Sequence, residues 1–474
     1  MTSRPRALAL LLSAVLGLAT IVAIQTPAQA AFGRLYAPTT TPMSGVPFTI
    51  TGKLETKVKR PVVLQQRRGG SWVTIAKAKA RRNQSVTFTK VVLTGDASLR
   101  AVARRFTAKV RLPRIVTKAV TVPVLTQQGR IAALPPVAQQ GATPAAPAEG
   151  PIVSAGFEPA RPGRTVQLQR QQGGDWKTVA NAPQDRSGHA VFAAEAGRTY
   201  RAVAVAAGGA PASVTGTVTA RAWSPVFEDT FSGATLDPAV WSDQTQSYSY
   251  DTGIRTCARQ DASVRRNTGS TLELGIGLDP TRAGQTCRYT AATGEGESPF
   301  LLNTQLATNK AFKFRHGYAA ARIRFAGPQG AHSCFWILPE GGRVPGDPSR
   351  GAEVDVAEFF GEGGPRDAVG GFVHTLDSAG NNEKIGELFR STSQMKPAGD
   401  SWSTSYHVFS LEWTPQEYVF RIDGREFWRT REKISQVDQY LVLSMLTSNY
   451  ELRHLTPETL AATTSVDWVR VWRS

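Results

Sequence analysis

Apolar and polar residues alternate along most of this chain, and almost nowhere do they recur at helical spacing. From about Ser224 the alternation is dense, in "TLELGIGL", "YAAARIRF", "SCFWILP", "EVDVAEFF", "GGFVHTL", "YHVFSLEWT", "YVFRIDG", "YLVLSML" and "VDWVRVW". A period of two marks strands with one buried face, and Gly, Pro and Asp separate the runs as turns. The pattern predicts an all-β region of about 250 residues, enough for two large packed sheets of jelly-roll type.

The N-terminal part alternates too, and it repeats. "VVLQQRRGGSWVTIAKA" (62 to 78) matches "VQLQRQQGGDWKTVANA" (166 to 182) without a gap, and "LRAVA" (99 to 103) matches "YRAVA" (200 to 204). Each copy predicts a β-hairpin turning at Gly-Gly. Several short strands in about 90 residues predict a small sandwich of immunoglobulin or fibronectin type III character for each copy. Trp72 and Trp176 fall at the same place in the two copies. Such a Trp can stack on sugars, but its recurrence is read here as core.

The organisation expected from these patterns is a signal peptide over 1–30, a basic sandwich over 31–125, a linker over 126–150, a second sandwich over 151–222 and the large all-β domain over 223–474. Arg4 and Arg6 precede an apolar run from Ala7 to Ile24, and "TPAQA" supplies an A-x-A cleavage pattern, as in secreted proteins. No later run approaches a membrane-spanning length. "LPPVAQQGATPAAPAEGP" is rich in Pro, Ala and Gly and predicts an extended, semi-rigid linker.

Charge separates the modules further. The chain carries a net +18, and residues 31–125 hold 19 Lys and Arg against two acids. A basic module beside a mildly acidic one suggests two jobs: the first suits anionic cell-wall or extracellular polymer, held without specific nucleic-acid recognition. A solvated basic face is the alternative. Of the three cysteines, Cys257 and Cys287 end strand-like segments in one region and are expected to pair; Cys334, inside "CFWIL", is expected as a buried free thiol.

The chemistry concentrates in "GAEVDVAEFFGEGG" (351 to 364). In a strand Glu353 and Asp355 share one face, opposite Val354 and Val356. Glu358 would face the wrong way unless one extra residue, a β-bulge at Val356–Ala357, turned it back. Apolar flanks make the strand central, where three acids without a purpose would be costly. Two carboxyls on one face are what a glycosidase needs: one ionised to attack, the other kept protonated by its neighbour's charge.

"EVDVAE" matches the E-x-D-x-x-E motif of glycoside hydrolase family 16, in the bulged form of its laminarinase branch. The resemblance runs over nearly all of 225–474, through "VFEDTFSGATLDPAVW", "FRHGYAAARIRF" and "YHVFSLEWTPQEYVFRIDG". It implies a concanavalin-like β-jelly roll with an open cleft, Glu353 as nucleophile, Asp355 as its assistant and Glu358 as general acid/base. It also implies His374 at the acid site and Trp336 as a sugar platform, with Arg322 reaching a sugar hydroxyl. No cofactor is implied for catalysis. Asp467, with carbonyls near Gly269 and Glu228, matches a position that can bind structural Ca²⁺, an ordinary surface role being the alternative.

The chain departs from that pattern at several places. His332 and Ser333 replace the Trp-Pro that opens the platform strand, and Ala320 replaces a Glu beside Arg322. His332 and Cys334 could ligate a metal, but no third ligand lies near them in sequence. The expectation is a monomeric, secreted, endo-acting retaining β-glycanase on polysaccharide, with β-1,3-glucan as substrate. A galactan hydrolase, a glycan transglycosylase and a non-catalytic glycan-binding jelly roll are the alternatives.

Overall fold

The computed structural model describes residues 33–473 except 57, 108–110, 245, 249–253 and 364–366. The expected signal peptide lies outside the described residues. The chain forms two compact units, one of residues 33–42 and 46–124, the other of 43–45 and 125–473.

Both sequence copies fold alike. In the first, strands Gly33–Leu35, Phe48–Leu54 and Ser85–Val91 form one sheet, and a second is built around Arg60–Arg68, Ser71–Ala80 and Ala97–Ala103. In the second copy, Gln128–Leu134, Ile152–Glu158 and His189–Ala193 pair in one sheet, while Thr165–Gln172, Asp175–Pro183 and Thr199–Ala204 pair in the other. Each repeated hairpin turns on two glycines of positive φ (Gly69 and Gly70, Gly173 and Gly174), a conformation that costs other residues more. Each also carries a bulge at the same step, Leu64/Gln65 and Leu168/Gln169.

The repeated tryptophans are not core. Trp72 and Trp176 are half-buried on the sheet surface. Arg100 covers Trp72 at 4.0 Å and Arg201 covers Trp176 at 4.5 Å. Each arginine also donates to a strand glutamine, Gln65 at 3.0 Å and Gln169 at 2.8 Å. The repeat conserved a surface trio in which a guanidinium shields an indole face.

The large domain is a sandwich of two sheets. Its principal strands are β1 (Leu301–Ala307), β2 (Gly317–Arg324), β3 (His332–Pro339), β4 (Glu353–Phe359), β5 (Val369–Leu376), β6 (Asn382–Phe389), β7 (His407–Trp413), β8 (Tyr418–Ile422), β9 (Arg425–Thr430), β10 (Gln439–Leu446) and β11 (Thr464–Trp472). One sheet runs β11-β2-β7-β8-β9; the other runs β1-β10-β3-β4-β5-β6. Between them lie the alternate residues the pattern predicts, among them Ala319, Ala321 and Ile323, Phe335 and Ile337, Val354 and Val356, and Val469 and Val471. The disulfide Cys257–Cys287 ties the hairpin Thr286–Ala291/Gly294–Pro299 to the domain, and Cys334 is free and buried.

The expected linker is largely structure. Gln128–Leu134 is a full strand of the second sandwich, paired with Ile152–Glu158 along its whole length. The segment after it lies against the outer face of the β11-β2-β7 sheet, where Leu134 and Val137 join Tyr318, Ala320, Val408, Trp468 and Trp472 in one buried cluster. A Pro- and Ala-rich composition signals an extended chain but not whether a surface holds it. Here the outer indoles supply that surface.

This strap explains two further corrections. Residues 318, 320 and 322 of β2 point away from the core, and their sheet is not the one that bears the three acids. Arg322 is therefore not in the cleft. Its guanidinium is 1% exposed and donates to the backbone carbonyls of Gln139 (2.8 Å), Gly141 (3.4 Å) and Thr143 (3.1 Å) and to the Asp467 carboxylate. Ala320 lies under the same strap, so its departure from the family pattern bears on packing.

The residues expected around Ca²⁺ do not fit a resident cation. The Asp467 carboxylate oxygen that pairs with Arg322 also accepts from the Ala145 amide at 3.1 Å. A guanidinium already supplies the positive charge this carboxylate needs.

Candidate active site

Strand β4 carries the three acids between β3 and β5. Opposite β3, Phe335 pairs with Ala357 and Trp336 with Asp355, leaving Val356 as the extra residue. Opposite β5, Asp355 pairs with Phe372 and Glu358 with Gly370, three steps on one strand against two on the other. The bulge therefore sits where the uneven spacing requires it. Val354, Val356, Ala357 and Phe359 enter the core, and Glu353, Asp355 and Glu358 take the other face.

Their neighbours set their charge. Glu353 is half-buried, with Arg343 at 4.0 Å. Asp355 is buried and lies 3.3 Å from His374 Nε2. Burial and the charges of Glu358 and Glu353 push its carboxyl up to about 7, outweighing the pull of His374. His374 Nδ1 in turn lies 3.0 Å from the Asn382 amide nitrogen, which fixes the ring. Burial also raises Glu358, but His332, His374 and Lys384 together bring it below the ordinary carboxylate range. His332 answers in the opposite sense: burial lowers it, and the Glu358 charge raises it further than that.

His332 therefore stands at the acid itself. Its Nε2 is 2.7 Å from Glu358 Oε1, and its ring stacks on Phe360 at 4.4 Å. The contact is a close charge pair lying off the N–H axis, and among the described residues neither ring nitrogen has an aligned hydrogen-bond partner. Cys334 lies directly opposite Glu358 across the strand pair. The third metal ligand missing from the local sequence is thus supplied by the neighbouring strand: His332, Cys334 and Glu358 bring their ligand atoms within 4.8 Å of one another. Trp336, two residues further along the same face, donates through Nε1 to Ser444 at 3.1 Å and keeps part of its indole exposed.

Several cleft residues escaped sequence reasoning. A cavity of about 600 Å³ beside Glu358 is lined by Phe360, Phe372, His374, Lys384, Glu387 and Tyr450. Phe360 was legible as apolar surface next to the acids. Tyr450 lies in a loop after β10 with no periodic signal, and only the sheet order brings it to Glu358.

The bulged strand thus sets three acids in an aromatic-lined cleft of a β-sandwich. Residues 257–469 match the model of Glycosyl hydrolases family 16. Among curated proteins, the chain is 25% identical over 239 residues to Gram-negative bacteria-binding protein 3 of Drosophila melanogaster. It is 22% identical over 265 residues to Glucan endo-1,3-beta-glucosidase A1 of Niallia circulans, and 24% identical over 269 residues to a Beta-glucanase of Rhodothermus marinus. These matches cover 45%, 52% and 53% of this chain. They span 47% and 37% of the first two relatives and 85% of the third. Among solved structures, the laminarinase catalytic domain from Thermotoga maritima aligns with 98% of its length and 53% of this chain, at 16% identity and a TM-score of 0.41. No described helix is long and apolar enough to cross a membrane.

Proposed function

We infer that the chain is a secreted endo-acting β-glucanase that hydrolyses β-1,3-linked glucan with retention. The observation that carries this reading is the bulged strand, which turns Glu353, Asp355 and Glu358 onto one face. Glu353 is the group placed to attack the anomeric carbon. Asp355 keeps its proton up to about pH 7 and orients the nucleophile. Glu358 gives a proton to the leaving oxygen and afterwards takes one from the incoming water. His332, 2.7 Å from Glu358, holds that carboxylate in place. A sugar chain in the cleft displaces water from Glu358 and raises its proton affinity, which favours the acid form at the moment it is used.

The names of two relatives, a glucan endo-1,3-beta-glucosidase and a beta-glucanase, support the substrate class. His332 in place of an indole narrows the stacking surface to Trp336, Phe360, Phe372 and Tyr450, so the chain recognised in the cleft differs from that of a platform with two tryptophans. The basic first module retains the enzyme on anionic wall or extracellular polymer by charge that salt screens.

The test is product sizing after incubation with laminarin, mixed-linkage glucan, agarose and carrageenan, with the anomer of the first product followed by NMR. Short β-1,3-linked oligosaccharides released as the β-anomer are expected. Release of the α-anomer would overturn retention. Release from agarose or carrageenan alone would move the substrate to galactan. Binding without release from any polymer would favour a recognition role, as the name of the Drosophila relative suggests for that protein.

A further inference from the structure

We propose that His332 Nε2, Cys334 Sγ and a Glu358 carboxylate oxygen form a binding site for a soft divalent cation of the Zn²⁺ type, and that its occupancy silences the acid/base. The silencing rests on the role given to Glu358 above; the site does not.

Three observations converge. The first is register: His332 and Cys334 are alternate residues on one face of β3, and Cys334 pairs directly with Glu358 on β4. Side chains so placed on adjacent strands meet without any loop to position them. Their ligand atoms lie within 4.8 Å of one another, which leaves a cation small adjustments to make. The second is the imidazole. It is 6% exposed on its side chain, stacked on Phe360, in charge contact with Glu358, and among the described residues lacks an aligned hydrogen-bond partner at either nitrogen. A buried polar ring in that condition is costly, and a metal bond would satisfy one nitrogen. The third is charge: Glu353 and Asp355 share the cleft face of β4 with Glu358, and carboxylates so placed favour a divalent cation.

The donor set selects the cation. One nitrogen, one sulfur and one oxygen suit Zn²⁺ and its neighbours and are poor ligands for Ca²⁺ or Mg²⁺. Three protein ligands leave a fourth position for water. The way in is the cleft, since Glu358 lines the 600 Å³ cavity. On binding, the thiol releases its proton to water and the thiolate and carboxylate are both taken up as ligands. A Glu358 carboxylate bound to a dication is held in its ionised form and has no proton to give to the leaving oxygen. The second cluster in the cleft, Glu353, Asp355 and His374, offers no sulfur and so can be told apart.

Cobalt(II) makes the distinction directly. Cys257 and Cys287 are bonded to each other, so any thiolate-to-cobalt charge-transfer band must come from Cys334. Titrating the full chain with Co²⁺ is expected to give such a band, saturating near one cobalt per chain and abolished by Zn²⁺. It should vanish in Cys334→Ser and weaken about tenfold or more in affinity in His332→Gln. Cys334→Ala serves if the serine variant fails a melting check. Absence of the band from folded protein at saturating cobalt overturns the site, and so does a band that His332→Gln leaves at full affinity. Zn²⁺ should also inhibit glycan hydrolysis, with the half-inhibiting concentration raised about tenfold or more in Cys334→Ser, each variant being compared with its own metal-free rate. Full activity in cobalt-saturated protein that shows the band would uphold the site and overturn the role given to Glu358.

Discussion

Two groups of buried charge lie in the two sheets of one sandwich, and they are built on opposite principles. On the β11-β2-β7 sheet Arg322 and Asp467 are opposite in sign, and all three guanidinium nitrogens have partners in the strap or in Asp467. On the β3-β4-β5 sheet Glu353, Asp355 and Glu358 are groups of one kind, and Asp355 keeps its proton to about pH 7 because it is buried and its neighbours are charged. The first group holds a segment of chain in place. The second is costly to fold and is left able to exchange protons. A satisfied buried pair does not act on anything, and an unsatisfied one can.

The comparison breaks hardest at Glu353. Glu353→Gln keeps the shape of the side chain and removes the proposed nucleophile, so hydrolysis should fall by about 10⁴-fold, about 5 kcal/mol of transition-state stabilisation. The melting temperature should not fall. Loss of less than tenfold, measured on whichever glycan the wild type cleaves, would move the nucleophile elsewhere.

Arg322→Met tests the other group. It strands the Asp467 carboxylate and three strap carbonyls, and stability should drop by about 3–5 kcal/mol in denaturant titration. Adding Asp467→Leu should recover part of that loss, because two apolar residues leave no charge uncompensated. If the double variant is as unstable as the sum of the singles, the pair is not what holds the strap.

Asp355 sharpens the contrast through pH. Folded, it keeps its proton to about 7; unfolded, it releases it at the ordinary carboxylate value. Between the two, the folded chain binds the extra proton, so this group's contribution to stability is present at low pH and is lost as pH rises towards 7. Each unit of difference is worth about 1.4 kcal/mol, which amounts to a few kcal/mol in all. Asp355→Asn should gain stability over wild type at pH 8 and lose that advantage near pH 4. Parallel stability curves for the two proteins would count against a raised Asp355.

At the small end stands Arg288–Glu297, a pair of exposed side chains on the tied hairpin. Arg288→Ala should leave the melting temperature unchanged within error, in low salt and in 0.5 M salt alike, because exposed pairs gain little and are screened. A clear loss there would mean that charge pairing as such, and not burial, is what stabilises the Arg322 site.

The bulge was legible because strand faces alternate strictly: three acids at spacings of two and three can share a face only if one residue is extra. The paired hairpins were legible because Gly-Gly between two alternating runs has few other uses. Arg322 was misread for the same reason that alternation is informative. It shows that residues 318, 320 and 322 share a face, and it is silent on whether that face meets a sugar or the chain's own strap. Trp72 and Trp176 were misread similarly, since recurrence marks a constraint and the constraint was an arginine stacked on each.

The sequence by itself determined the strands, their faces, the bulge and the acid trio, because each depends on neighbours within a few residues and on the two-residue period of an extended chain. Only the tertiary structure decided what lies against each face. Arg322 meets Gln139 across 183 positions of chain, and His332 meets Glu358 only because β3 and β4 are adjacent in register. Contacts of that kind depend on sheet order and on the burial of an outer apolar face. Neither leaves a local mark on the residues it brings together.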